Sequence, residues 1–330
     1  MEQKTLLELE DKVLSGEVLT FEEGMFIHDY PDGMVFDLLS SASRIRKRFK
    51  GDEIRLCSII NAKSGRCPED CAFCAQSIRN KTGVKSYPMV EEDTILDAAG
   101  DALRNGAGEF SIVTSGKGVC KGNELKTIAG AIKGINRETP LESCASLGIL
   151  DESALLTLRE AGLKSYHHNL ETSRSFFPSI CTTHDYEEDV KVVGTAKRLG
   201  LHVCCGGVFG MGESREDRIE LALTLRELKV DSIPINFLNP RPGTVLSDAN
   251  YLTPMECVKI ISTYRFIMPL REIIICGGRE VNLRELQPLI FAAGANGMMI
   301  GNYLTTQGRD IGKDIQMIKD LGLKITSHVS

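Results

Sequence analysis

The sequence predicts an α/β fold, a (β/α)8 TIM-type barrel behind a helical N-terminal extension. Three observations carry this expectation. Eight β-prone runs alternate with stretches of helical periodicity. The length of 330 residues is what one closed barrel of roughly 250 residues plus extensions needs. The alternation continues from about residue 50 onward without an internal repeat, a low-complexity run or a Pro/Gly/Ser linker. The expected organisation is therefore a helical extension over 1–50 and a single barrel domain over 51–330. A doubly wound open sheet fits the same alternation. Either fold places chemistry at the C-terminal ends of its strands.

In order along the chain, LLELEDKVL and FDLLSSASRIRKRF place apolar residues at helical spacing among charged ones and read as helices packed on the rest of the chain. The first strand is IRLCSII (54–60), followed by a helix over 91–105. EFSIVT (109–114) precedes a helix over 123–136, and LESCASL (141–147) one over 151–161. SYHHNLE (165–171) and LHVCCGG (201–207) are strands four and five, with helices over 186–199 and 215–229. DSIPINF (231–237), EIIICGG (272–278) and NGMMIG (296–301) complete the set, with helices over 254–268 and 283–293 between them. Asp151, Ser214 and Thr253, the last followed by Pro254, are N-cap signals. Gly106, Gly162 and Gly200 are helix stops.

Composition narrows the function. With 39 Lys+Arg against 45 Asp+Glu the net charge is −6, which argues against a nucleic-acid surface. No apolar run approaches the ~18 residues of a membrane span. The start, MEQKTLLELEDKV, is acidic and amphipathic, unlike a secretory or transit peptide, so the expected location is cytoplasmic. Eleven cysteines is an odd count for a disulfide framework, and a reducing cytosol keeps thiols reduced. Metal chemistry or plain burial remains.

The strongest motif is Cys67-Pro-Glu-Asp-Cys71-Ala-Phe-Cys74, in a loop just past the first strand. Structural zinc wants four ligands, usually as paired C-x2-C knuckles, and no fourth Cys or His follows nearby. Three thiolates with an open position suit a four-iron cluster that leaves one iron for an exogenous ligand.

With Phe73 before its last Cys, this triad resembles the radical S-adenosylmethionine superfamily. NAKSGRCPEDCAFCAQS, YHHNLETS, HVCCGGVFGMGE, PINFLNPRPGT, GGRE, AGAN and LTT together resemble the biotin synthase family over about residues 55–306. The resemblance implies that Cys67, Cys71 and Cys74 hold a four-iron cluster whose open iron takes S-adenosylmethionine. One-electron reduction would release a 5′-deoxyadenosyl radical that abstracts hydrogen from unactivated carbons of dethiobiotin, and sulfur would be inserted to give biotin. No protein acid or base can activate such a C–H bond, so a cofactor must. By the same resemblance Phe73, Asn169, Glu171, Val208 and Glu213 contact the cofactor, with Glu171 standing where the family has Asp. His167, Asn236, Thr305 and Thr306 are the substrate contacts, His167 standing where the family usually has Asn. Asp189 occupies a position where an Arg near the cofactor carboxylate is expected.

The family's second cluster has two irons held by three Cys and one Arg. Two of those positions are here Ser111 and Ile274, while Cys144 and Cys204 remain. Cys276 lies two residues beyond Ile274 on the same side of its strand, and Cys57 lies in the first strand. Cys57, Cys144, Cys204 and Cys276 thus fall on strands one, three, five and seven, and alternate strands share a barrel layer. The expectation is a different auxiliary cluster, all-Cys, of four irons with extra sulfide. Cys205 should face away, and Cys120, Cys181 and Cys257 read as packing. His168, His184 and His202 show no metal spacing and read as hydrogen-bonded or surface residues. Expected partners are dethiobiotin, a flavodoxin or ferredoxin as electron donor, iron–sulfur assembly machinery and a second copy in a homodimer. The competing readings are a related radical enzyme, a mutase or maturation enzyme without sulfur insertion, and a metal-dependent sensor.

Overall fold

The computed structural model describes residues 5–326. Ten strands run in the order β1 (Glu53–Lys63), β2 (Glu109–Thr114), β3 (Glu142–Ser146), β4 (Ser165–His167), β5 (His202–Cys204), β6 (Gly207–Phe209), β7 (Ser232–Phe237), β8 (Glu272–Ile275), β9 (Gly297–Met299) and β10 (Lys324–Ile325). All pairings among them are parallel, and β9 returns to pair with β1, which closes the barrel. β5 and β6 are two halves of one stave: β5 bonds to β4 and β7, and β6 bonds to β7. Gly206 sits at their break, where an added Cβ would lie 2.0 Å from the Pro234 carbonyl oxygen. Only glycine lets the two backbones approach that closely. The eight staves are the eight runs expected from the sequence, and the barrel rather than the open sheet is the fold.

Several boundaries differ from expectation. The fourth strand stops at His167 instead of continuing through Glu171. Glu171 has φ 65°, a left-handed value that no strand continues through. The helix expected over 283–293 is broken into Arg279–Asn282, a 3-10 turn at Arg284–Leu286 and Leu289–Ala292. Arg284 with φ 52° and Pro288 interrupt it. Helices Phe21–His28 and Ile311–Asp320 and the short β10 add to the predicted set. The first two helices begin on capping boxes, Thr5 with Glu8 and Thr20 with Glu23. Asp151, Ser214 and Thr253 cap their helices, each accepting from a backbone N–H.

Alternation along each strand separates two interiors. On β2, Phe110 and Ile112 face the helices and join the main apolar core, while Glu109, Ser111 and Val113 face the barrel axis. That core runs from Leu6 and Leu9 through the barrel exterior to Ile318. Helices Leu6–Leu14, Phe21–His28 and Val35–Lys50 all pack on helix Pro254–Ile267. Among the described residues no helix is long and apolar enough to cross a membrane.

The chain after β8 is tied to helix Ile311–Asp320 by a fully buried ion pair. Arg279 donates to Asp314 at 2.5 Å, and Arg309 donates to the other carboxylate oxygen at 3.0 Å. Removing the carboxylate would leave the buried Arg279 guanidinium with Gln287 and the more distant Glu280 as its partners, and breaking a buried ion pair in this way costs about 3–5 kcal/mol. Asp314→Ala is expected to lower unfolding stability by that amount in a denaturant titration, more than any surface ion-pair deletion.

Candidate functional site

A cavity of about 290 Å³ opens at the C-terminal end of the barrel. Its wall includes Phe73 and Cys74 of the three-cysteine loop, and His167, Asn169 and Glu171 at the end of β4. Val208, Asn236, Thr305 and Thr306 line it from β6, β7 and the loop after β9. Its deeper part is formed by Cys57, Cys144, Cys204 and Cys276. The barrel closure brings all of these together, although they lie up to hundreds of residues apart. Cys67 and Cys71 belong to the same loop as Cys74 but lie outside the lining, half-buried.

The three-cysteine loop is a compact backbone structure. Cys67 N–H donates to the Gln76 carbonyl, Ile78 N–H to the Cys67 carbonyl, and Cys74 N–H to the Cys71 carbonyl. The Asn80 amide donates to the carbonyls of both Cys71 and Cys74, at 3.3 and 2.8 Å. All three thiols are free. Burial pushes the Cys74 thiol up to about 11, the mark of a sulfur that lacks a compensating protein cation. Three thiols outside any disulfide, on a fixed loop at the rim of a cavity, fit a cluster with one exchangeable position.

At the end of β4 the backbone strain at Glu171 turns its side chain to the cavity. The Asn169 side-chain oxygen accepts from Gly206 N–H at 3.1 Å, and its side-chain amide nitrogen donates to Glu171 at 3.3 Å. Burial, then the nearby Asp189, push the Glu171 carboxyl up to about 8. Burial and His168 lower His167 to about 4, so it is neutral at pH 7 and can both donate and accept. The Asn236 side-chain oxygen accepts from Gly277 N–H at 3.0 Å, which fixes the amide at the cavity wall. Gly278, with φ +76°, makes the turn beyond Cys276; an added Cβ would lie 1.9 Å from the Phe237 carbonyl oxygen.

Glu213 stands apart from the expected cofactor contacts. It is absent from the cavity lining. Its carboxylate accepts from Gly210 N–H at 2.8 Å, Met211 N–H at 2.7 Å and Arg218 Nε at 2.8 Å. It fixes the turn after β6.

The four deep thiols come from β1, β3, β5 and the end of β8, alternate staves of the closed barrel. Cys57 and Cys276 pack with Ile274 and Met299 as a small interior cluster distinct from the main core. Cys276 raises the Cys57 thiol first and burial second. Burial, then Glu109, raises Cys144 and Cys204. Ser111 pairs in register with Cys144, which places the serine beside a thiol rather than in place of one. Cys205 points the other way, into the main core. A pocket lined by four protonated thiols offers soft donors to iron, which displaces their protons on binding.

Sequence reasoning missed Glu109 as part of this pocket. It is buried at the cavity wall, and burial lifts its carboxyl to about 7 against the opposing charge of Arg55. Its signal was the strand alternation that puts it, like Ser111, on the axial face of β2. Cys181 is buried in the main core and His184 is hydrogen-bonded, as read from the sequence, but the sequence did not show that they meet each other beside the three-cysteine loop. Cys181 Sγ lies 4.0 Å from Cys71 Sγ and 3.3 Å from His184 Nδ1. His184 is held between Glu69, at 2.6 Å, and Asp189, at 3.4 Å. Burial opposes the His184 cation, yet Asp189, Cys181 and Glu69 prevail and raise it to about 11. Asp189, found where a cation was expected, also accepts from His168 at 2.8 Å. The acid is thus paired inside the protein by two histidines, and the nearest cation is His184. The spacing Cys181-Thr-Thr-His184 was the available clue.

Comparison with known proteins accords with this architecture. Residues 62–225 match the Radical SAM superfamily model, and residues 234–324 the Biotin and Thiamin Synthesis associated domain. The chain is 52% identical to the biotin synthase of Geotalea uraniireducens, over 97% of this chain and 98% of that one. It is 54% identical to the biotin synthase of Pelobacter propionicus, over 97% and 98% of the two chains. For that of Geobacter sulfurreducens the identity is 58%, over 87% and 88%. Among solved structures, methylornithine synthase (PylB) superposes with a TM-score of 0.83 at 20% identity, covering 97% of this chain and 98% of that one, a likeness of fold. Barrel, thiol-lined cavity and full-length identity converge: the chain belongs to the biotin synthase family of sulfur-inserting radical S-adenosylmethionine enzymes.

Proposed function

We propose that this enzyme converts dethiobiotin to biotin, and that the inserted sulfur comes from an all-thiolate auxiliary cluster of four irons with extra sulfide. The observation that carries the second part is the ring of Cys57, Cys144, Cys204 and Cys276, facing one volume beneath the proposed substrate contacts. Cys67, Cys71 and Cys74 would hold the first cluster. When bound, these groups supply a carbon-centred radical and transferable sulfur, chemistry that no side chain provides.

The chain's own residues bind, orient and exclude water. Asn169 and Glu171 would accept the ribose hydroxyls of S-adenosylmethionine, while Phe73 and Val208 give its base an apolar wall. Asn236, whose amide offers both donor and acceptor, would pair with the ureido ring, and neutral His167 would add one further bond. Thr305 and Thr306 would take the substrate carboxylate from the loop after β9. Holding the reacting carbon near both radical and sulfur is the main contribution of such a cavity, since misplacement of about 1 Å can cost ~10²-fold. A flavodoxin or ferredoxin as reductant, iron–sulfur assembly machinery and a homodimer complete the proposal.

The test is anaerobic turnover with dethiobiotin, S-adenosylmethionine and a reductant, assayed for biotin by mass spectrometry. Reductive cleavage without biotin would instead favour a mutase or maturation enzyme. Glu171→Ala removes a buried hydrogen-bonding carboxyl and leaves the hydroxyls it would meet without a partner, a loss of ~1–3 kcal/mol. It is expected to raise the KM for S-adenosylmethionine by about 10- to 100-fold and leave that for dethiobiotin within about threefold.

A further inference from the structure

Beside the three-cysteine loop, outside the lining of the cavity, three potential metal donors converge that the proposed reaction does not use. Glu69 comes from the loop itself, and Cys181 and His184 come from the C-x2-H segment that packs against it. One ligand atom from each lies within 4.8 Å of the other two. The individual separations are 2.6 Å from His184 Nδ1 to Glu69 Oε2 and 3.3 Å from Nδ1 to Cys181 Sγ. Ligands at ~2.0–2.3 Å around a tetrahedral ion are about 3.4 Å apart, so small adjustments seat a metal here.

The surroundings are those of a metal site. The other ring nitrogen of His184, Nε2, faces Asp189 Oδ2 at 3.4 Å, and the second oxygen of Asp189 is held by His168 at 2.8 Å. A carboxylate behind a histidine orients the ring and strengthens its donor nitrogen. Thr183 Oγ donates to Glu69 Oε2 at 2.7 Å. The Phe177 ring packs edge-on against His184 with centroids 5.5 Å apart, giving an apolar flank.

We propose that Glu69, Cys181 and His184 bind one zinc ion, separate from either iron–sulfur cluster. A thiolate, an imidazole and a carboxylate form a mixed set that suits zinc and does not suit magnesium or calcium. Three protein ligands leave the fourth position for water. Cys71 is not required, although its sulfur is 4.0 Å from Cys181 Sγ. The ion would clamp the three-cysteine loop, through Glu69, to the segment that carries Cys181 and His184.

Anaerobically purified, iron-loaded protein, equilibrated with zinc sulfate and desalted, provides the test. The wild-type chain is expected to retain about one zinc ion with its iron content unchanged. Cys181→Ser and His184→Gln should each lower zinc affinity by at least tenfold while keeping iron. Zinc X-ray absorption should show one sulfur among nitrogen and oxygen ligands. No retained zinc, equal retention in both variants, or a zinc environment of two or more sulfurs with loss of iron would overturn the proposal. The absorption spectrum of the wild-type protein decides the matter even if a variant fails to fold.

Discussion

Cys276→Ala is expected to abolish biotin formation while reductive cleavage of S-adenosylmethionine persists near the wild-type rate. The two activities separate because Cys276 lies deep in the barrel beside Cys57, whereas the three-cysteine loop sits at the rim. Loss of one thiolate from an interior cluster leaves a coordination site that Ile274, its neighbour on the axial face, cannot fill. Iron should fall from about eight to about four atoms per chain, with a matching loss of acid-labile sulfide. Biotin formed at the wild-type rate by Cys276→Ala would remove Cys276 from the ligand set. About six irons in the wild-type protein would point to a four-iron plus two-iron complement and count against the all-thiolate cluster.

Alanine at Cys67, Cys71 or Cys74 should have the larger consequence. Both S-adenosylmethionine cleavage and biotin formation are expected to fall to the level of an enzyme-free control, while the thiols of the deep pocket still bind iron. The physical reason is that no side chain in the cavity offers an alternative route to a C–H bond. Glu171, His167 and Glu109 are placed for hydrogen bonding, and their pKa values of about 8, 4 and 7 lie far from what such a bond demands. Anaerobic assay of 5′-deoxyadenosine with and without dethiobiotin measures the effect. Cleavage retained in Cys74→Ala would mean that the loop is not the site of radical generation.

Much of the fold was legible because its signals are local. Apolar alternation located all eight staves, and cap residues such as Asp151 and Thr253 fixed helix starts to within a residue. What escaped were places where tertiary contacts override local pattern. The fourth strand looked continuous through Glu171, but that residue adopts a left-handed conformation to present its carboxyl to the cavity. The fifth stave breaks at Gly206 because the backbone of β7 passes too near for a side chain. Glu213 fits a motif, yet its carboxylate is consumed by the turn it closes. Conversely, the reading of Cys57 and Cys276 as partners needed the barrel's alternate-strand rule in addition to the sequence, and the structure places them in contact.

By itself the sequence determined the barrel, the three-cysteine loop and the set of interior thiols. Each of these depends on spacing along the chain: two residues per pleat, three or four per helical turn, and eight residues spanning the loop. Only the tertiary structure decided which charges meet. Asp189 looked like a missing cation until the fold surrounded it with His168 and His184. Cys181 packs in the core as its sequence context suggested, and the fold in addition lays Glu69 and His184 against it. Pairing energies act through space and depend on burial, so residues more than a hundred positions apart acquire their chemistry only when the barrel closes.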